Sequence, residues 1–172
     1  GQDPAHHPDP APGSAPVPVP GPAPDAVRGR QWVACAARAG MPRAMLEYAH
    51  LLVDGTGGAR DHAQALHWYE QAAQSGLVAA MFSAGAMYGG GHDVPRNRAR
   101  ARRWFTRAAQ GGHAPAQLML ARYLAQGLGG RADPDAARHW YRAAAAQGIA
   151  LATQELDRLT HAPPQQAGTG PG

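Results

Sequence analysis

The stretch "WYEQAAQSG", residues 68 to 76, decides the fold because the chain writes it more than once. It returns as "WFTRAAQGG" at 104 to 112 and as "WYRAAAAQG" at 140 to 148, with a blurred copy, "WVACAARAG", at 32 to 40. The chain's four tryptophans, Trp32, Trp68, Trp104 and Trp140, thus stand 36 residues apart. The same interval runs outside the phrase. Ala44 is followed by Ala80, Ala116 and Ala152, Gly55 by Gly91 and Gly127, and Asp61 by Asn97 and Asp133. A fixed period of this length with no insertion is the signature of stacked structural repeats.

Each unit reads as two helices. The first covers about residues 43 to 54, with copies at 79 to 90 and 115 to 126, and places apolar residues at helical spacing. It runs into the glycine-rich turns "DGTGG", "GGGHD" and "QGLGG", where glycine accepts the left-handed conformation that closes a helix. The second helix starts at Asp61, Asn97 and Asp133, all residue types that cap a helix N-terminus. Gln64 sits three residues after Asp61, where a capping box would put it. Pro134 stands at a first helical position, where its missing amide costs nothing. The second helix then carries the tryptophan, an aromatic neighbour and an alanine pair, and stops at Gly76, Gly112 or Gly148, as Gly40 stops the blurred copy. The alanines let a neighbouring helix lie close, and we expect the four tryptophans to fill the space between one helical pair and the next. Truncating a buried indole costs about 3–5 kcal/mol, so these tryptophans and closing glycines are expected to be the structural frame.

The resulting organisation is an all-α, right-handed superhelical solenoid of helix-turn-helix repeats with about eight helices. A half repeat at 28–42 precedes repeats at 43–78, 79–114 and 115–150, and a capping helix at 151–160 ends the stack. Residues 1–27 are expected to be a disordered, extended tail, since nine of the sixteen prolines lie in the first 24 positions. The stretch "HAPPQQAGTGPG", 161–172, is expected to be a second disordered tail.

A helical pair with the pattern "A…LG…Y..G.GV..D...A..WY..AA..G" resembles the Sel-one-like repeat family, a relative of the tetratricopeptide repeats. The 36-residue period separates it from the 34 residues of the latter. Ala80, Gly85, Tyr88, Gly91, Val94 and Pro95 fit the pattern in the middle unit, whereas Ala84, Leu124 and Asp93 depart from it. The departures suggest a looser second unit. The resemblance implies an adaptor that holds other proteins together, with bacterial members working in the envelope or in host contact. Cysteine-rich members, in which a disulfide bridges each helical pair, are linked to β-lactam binding or hydrolysis. Cys35 is the only cysteine here, so that activity is not carried over.

Composition narrows the functions further. The chain has 172 residues, 44% of them apolar with alanine dominant, and only two phenylalanines. All sixteen basic residues are arginine, and a net charge of +4 does not by itself argue for nucleic acid. The single Cys35 rules out a disulfide framework and is expected to pack as a small hydrophobe in the first helix. No apolar run reaches the roughly eighteen residues that a membrane-spanning helix needs. A glycine in place of methionine at position 1 fits a removed leading segment, and a cleaved export signal would favour the periplasm or secretion over the cytoplasm.

Nine histidines invite a search for chemistry. His62 and His67 are five apart and miss the four-residue spacing of paired metal ligands, while His67 and His139 share one repeat position beside a tryptophan. There is no HExxH, no phosphate-binding glycine loop and no GxSxG. We expect no catalytic residue, cofactor or metal, and a monomer that acts by binding.

Two surfaces are candidates for that binding. Positions equivalent in the first helices are Glu47, Ser83 and Met119, then His50, Ala86 and Arg122, then Asp54, Gly90 and Gln126. They vary while the packing positions hold, as in solenoids whose scaffold and recognition surfaces are separate. With Arg158 they would line a concave groove, running from acidic to basic, for a protein or peptide segment. The second surface is "RNRARARRWFTR", with Arg96, Arg98, Arg100, Arg102, Arg103 and Arg107 and no acid. Arg96, Arg100, Arg103 and Arg107 would form one helical stripe able to grip an anionic partner, including nucleic acid or anionic lipid. Nucleic acid is disfavoured, because Trp104 and Phe105 are expected in the core and no aromatic side chain would interleave the patch.

Overall fold

The computed structural model describes residues 23–90 and 92–161, and over these the chain forms eight α-helices. They are α1 (Pro24–Arg38), α2 (Pro42–Asp54), α3 (His62–Gln74), α4 (Val78–Gly89), α5 (Arg98–Gln110), α6 (Ala114–Gln126), α7 (Pro134–Ala146) and α8 (Ala150–His161). Each helix packs on the next in sequence, so the core grows by addition along a solenoid. The helix α1 begins four residues before the boundary expected at 27/28, with Pro24 in its first turn, where a proline is well placed. The rest of the 1–27 tail, up to residue 22, and the C-terminal tail beyond His161 lie outside the described residues, as does Gly91, the counterpart of Gly55 and Gly127.

The repeated turns have a repeated hydrogen-bond design. At the end of α3, Gly76 adopts φ +89°, and this left-handed residue turns the chain back. Its amide then donates to Ala73 O (3.1 Å) and the Leu77 amide to Ala72 O (3.2 Å), so the alanine pair's carbonyls are satisfied by the turn. The ends of α1, α5 and α7 repeat both bonds at Gly40, Gly112 and Gly148.

The turn between the first and second helix of each unit is also fixed in register. The amides of Asp61, Asn97 and Asp133 donate to Leu52 O, Tyr88 O and Leu124 O at 2.9, 2.8 and 2.9 Å. Their side chains accept from Gln64 N, Arg100 N and Ala136 N at 2.8, 3.0 and 2.9 Å. The capping box suggested by Gln64 is not closed. The Asp61 amide is already used by Leu52, and Gln64 Oε1 instead accepts from the Tyr48 hydroxyl at 3.2 Å.

Most core residues are alanines, and the large side chains laid among them are not mainly the tryptophans. Tyr69, Phe105 and Tyr141, each one residue after a tryptophan, are 4%, 1% and 2% exposed. Trp68, Trp104 and Trp140 are half-buried at the margins of the core, with Trp68 edge-on to Tyr48 at 5.6 Å between ring centroids. Trp32 is 75% exposed, contrary to its expected place in the frame. Among the described residues no helical hairpin precedes α1, and none of them covers the face that bears it. Cys35 is exposed on α1 and not packed as expected.

Asp93 gives the middle unit a turn of its own. At the counterpart positions Gly57 and Gly129 the loop backbone presses on the Ala26 and Arg98 carbonyls, and a Cβ would collide. Asp93 carries a Cβ, so its loop takes another course. A tight turn from Val94 N to His92 O (2.7 Å) brings the Asp93 carboxylate to 3.2 Å from His62 Nδ1 at the start of α3.

One histidine has a structural task. His113 is the N-cap of α6, and its Nδ1 accepts from Ala116 N at 3.3 Å while the ring lies 4.8 Å from Phe82. Burial lowers its pKa below the usual value of about 6.5.

Two outcomes follow for stability. Phe105→Ala is expected to lose about 3–5 kcal/mol and Trp32→Ala no more than about 0.5 kcal/mol, read from urea melts. As pH falls through about 6.5 the unfolded chain binds a proton that folded His113 resists, so this group's contribution is intact above that pH and declines below it. His113→Asn keeps an acceptor at the cap. The melting temperature of the variant should therefore fall less than that of the parent between about pH 7.5 and 5.5.

Candidate functional site

The first helices α2, α4 and α6, together with α8, bury one face and leave another open. In α2, Tyr48, Ala49 and Leu52 point into the core, which turns Glu47 and Asp54 to solvent and leaves His50 half-buried. The His50 ring stands edge-on to Tyr69 at 5.4 Å. Burial first, then the Asp54 and Glu47 carboxylates, raises the pKa of the Tyr69 hydroxyl far above its usual range. In α4 the corresponding positions are small: Ser83 and Ala86 are half-buried and Gly90 is exposed. Phe105 lies at the register of Tyr69 without a hydroxyl, and a Cβ on Gly85 would come within 2.7 Å of its ring.

The far end of this row differs from the sequence expectation. Arg122 is not a free cation: its Nη2 lies 2.9 Å from Glu155 Oε1 on α8. Tyr141 donates to Glu155 Oε2 at 3.4 Å, and its pKa is pushed up to about 12, by burial first and then by Glu155. The expected gradient from acid to base therefore stops short, with Arg158 exposed beyond the pair, Met119 half-buried and Gln126 exposed. Glu155 was missed, although it stands one repeat after Met119 and the register alone would have found it.

The arginine-rich segment divides into distinct tasks. Arg96 precedes α5 and so is not on the helix, and its guanidinium lies against Gly90. Arg98 opens the helix. Arg102 Nη1 donates to Arg131 O at 2.9 Å, clamping the α6–α7 turn as Arg30 Nη1 clamps the α2–α3 turn through Ala59 O at 3.0 Å. Arg100 Nη1 donates to the Tyr88 hydroxyl at 2.8 Å, and that hydroxyl donates to Glu70 Oε1 at 2.8 Å. The Arg107 guanidinium lies 4.8 Å above the Trp104 ring. Arg100, Arg103, Trp104 and Arg107, with Glu70 of α3, line an open recess of about 310 Å³. Trp104 thus takes part in the basic surface, which the sequence reading had denied it.

His62, His92 and Asp93 come together, the two rings 4.9 Å apart, but among the described residues no trio of His, Cys, Asp or Glu is placed to hold a metal ion. Among the same residues no helix is long and apolar enough to cross a membrane.

Comparison with known proteins agrees with this architecture. The model of the Sel1 repeat matches residues 20–41, 42–77, 78–113 and 114–149. The chain is similar to a solved Sel1 repeat protein from Oxalobacter formigenes, with 33% identity over 76% of this chain and 98% of that one and a TM-score of 0.68. It is also similar to a protective antigen of uropathogenic Escherichia coli with an SLR fold, at 30% identity and TM-score 0.74, covering 77% of this chain and 28% of that one. Cysteine rich protein B of Helicobacter pylori shares the fold at 17% identity and TM-score 0.60, over 77% and 95% of the two chains. No curated protein matches the sequence. With the motif matched four times in unbroken succession, and the same stack of helical hairpins in its structural relatives, the chain belongs to the Sel1 repeat family.

Proposed function

We propose that this chain is a non-catalytic scaffold that holds a segment of another protein in the groove formed by α2, α4, α6 and α8. Sel1 repeat proteins are in general protein-interaction scaffolds and typically lack catalysis. The observation that carries the reading is the contrast within the repeat. Caps, turns and buried rings recur every 36 residues, while the outward row passes from Glu47, His50 and Asp54, through Ser83 and Ala86, to Met119 and Arg122. A frame kept constant under a changing surface is how a solenoid separates stability from recognition.

The row also suggests how a guest would lie. Exposed Glu47 and Asp54, neither of them in a salt bridge among the described residues, offer carboxylates to a basic side chain. Small side chains on α4 leave room for a chain to pass, and the closed Arg122–Glu155 pair presents no net charge at α6. An extended or helical peptide with its basic end over α2 fits these constraints.

The test is affinity capture with the full chain and with the double variant Glu47→Arg, Asp54→Arg, both confirmed as helical by circular dichroism. Arg122 is left alone because reversing it would set two carboxylates against each other. A partner retained by the parent should be lost by the variant, with affinity at least roughly tenfold weaker. Equal retention by both proteins would refute the groove reading.

A further inference from the structure

The middle repeat carries a charged recess whose arginines have no counterparts in the sister helices α3 and α7. Arg100, Arg103 and Arg107 are spaced three and four apart on α5, where like charges repel across neighbouring turns. No acid sits in the first turn of α5, so Arg98 and Arg100 also face the positive end of the helix dipole. The sister helices do without this arrangement. The registers of Arg100, Arg103 and Arg107 hold Gln64, His67 and Gln71 in α3, and Ala136, His139 and Ala143 in α7, while the tryptophan is common to all three.

The recess is also incompletely satisfied. Among the described residues neither Arg103 nor Arg107 has a carboxylate within salt-bridge distance, and the one acid in the lining, Glu70, is engaged by the Tyr88 hydroxyl. Tyr88 also fixes Arg100. Arg107 lies over the Trp104 ring, which holds the planar guanidinium while leaving in-plane N–H groups to donate. Fork-shaped donors of this kind match carboxylates two bonds at a time.

We propose that this recess docks an acidic peptide segment of a partner protein, with aspartate or glutamate carboxylates held by Arg103 and Arg107 beside the Tyr88-fixed Arg100. The surface is distinct from the groove between the first helices and does not depend on it. A continuous phosphate backbone fits less well, for two reasons. Arg102 is turned away to the Arg131 carbonyl, so Arg100, Arg103 and Arg107 make a short patch that suits a few carboxylates better than a long run of phosphates. Arg107 already covers one face of the Trp104 ring, and a base cannot stack on that face.

The experiment measures fluorescence anisotropy of a labelled peptide with glutamate at alternate positions, its glutamine counterpart, and a single-stranded oligonucleotide of equal charge. The full chain is compared with Arg103→Gln, Arg107→Gln and with the control Arg96→Gln, Arg98→Gln, which removes the same charge outside the recess. Circular dichroism confirms that each is folded. The glutamate peptide should bind and the glutamine peptide should not. The recess variant should weaken binding at least roughly tenfold and the control less than about threefold. No binding of the glutamate peptide, equal losses in the two variants, or tighter binding of the oligonucleotide would each overturn the proposal.

Discussion

The burial of Tyr69, Phe105 and Tyr141 in a core made mostly of alanine is the contact on which the rest of the solenoid depends. The alanines that crowd around them are fully buried, and Gly85 has no room for even one more carbon beside Phe105. Helices faced with such small side chains come close, and a flat ring is a large apolar group that fits between them. The choice of ring has a consequence at the surface. A tyrosine hydroxyl needs a polar surrounding, and Tyr141 finds it in Glu155, which in turn holds Arg122. Phe105 makes no such demand, and the row above it is built of serine and alanine.

Much of this was legible because the deciding signals are local and repeated. A capping aspartate, a left-handed glycine and an alanine pair act within a few residues of themselves, and their recurrence every 36 residues removes ambiguity. The errors came from contacts that span units. Tryptophan is the most conspicuous residue in the repeat, yet an indole is too large for the closest approach of alanine-faced helices and lies at the margin of the core. Trp32 shows the limit of the ruler: its register equals that of Trp104, but burial requires a preceding hairpin. Gln64 was a sound capping residue by spacing, and lost that task to Tyr48, sixteen positions away.

The two candidate surfaces were legible to different degrees. Positions facing the groove follow from helical periodicity, but the pairing of Arg122 with Glu155 joins two repeats and was not visible in either alone. Helical periodicity likewise separates Arg102 from Arg103 by direction. It does not reveal that a turn of the next unit waits for Arg102 while nothing among the described residues waits for Arg103.

The position of the arginine cluster along the rod has its own physical logic. In a solenoid each unit draws its stability from itself and its two neighbours. The helix α5 packs between α4 and α6, with Phe105 fully buried, and Trp104 touches the core on both sides of its own unit. It is therefore well held at the place where like charges act against it. The helix α3 carries no arginine at all, and of the two on α7, Arg138 is paired with Asp135. An uncompensated run of guanidiniums is best tolerated where packing on both flanks can offset its repulsion, and the middle unit is where this chain puts it.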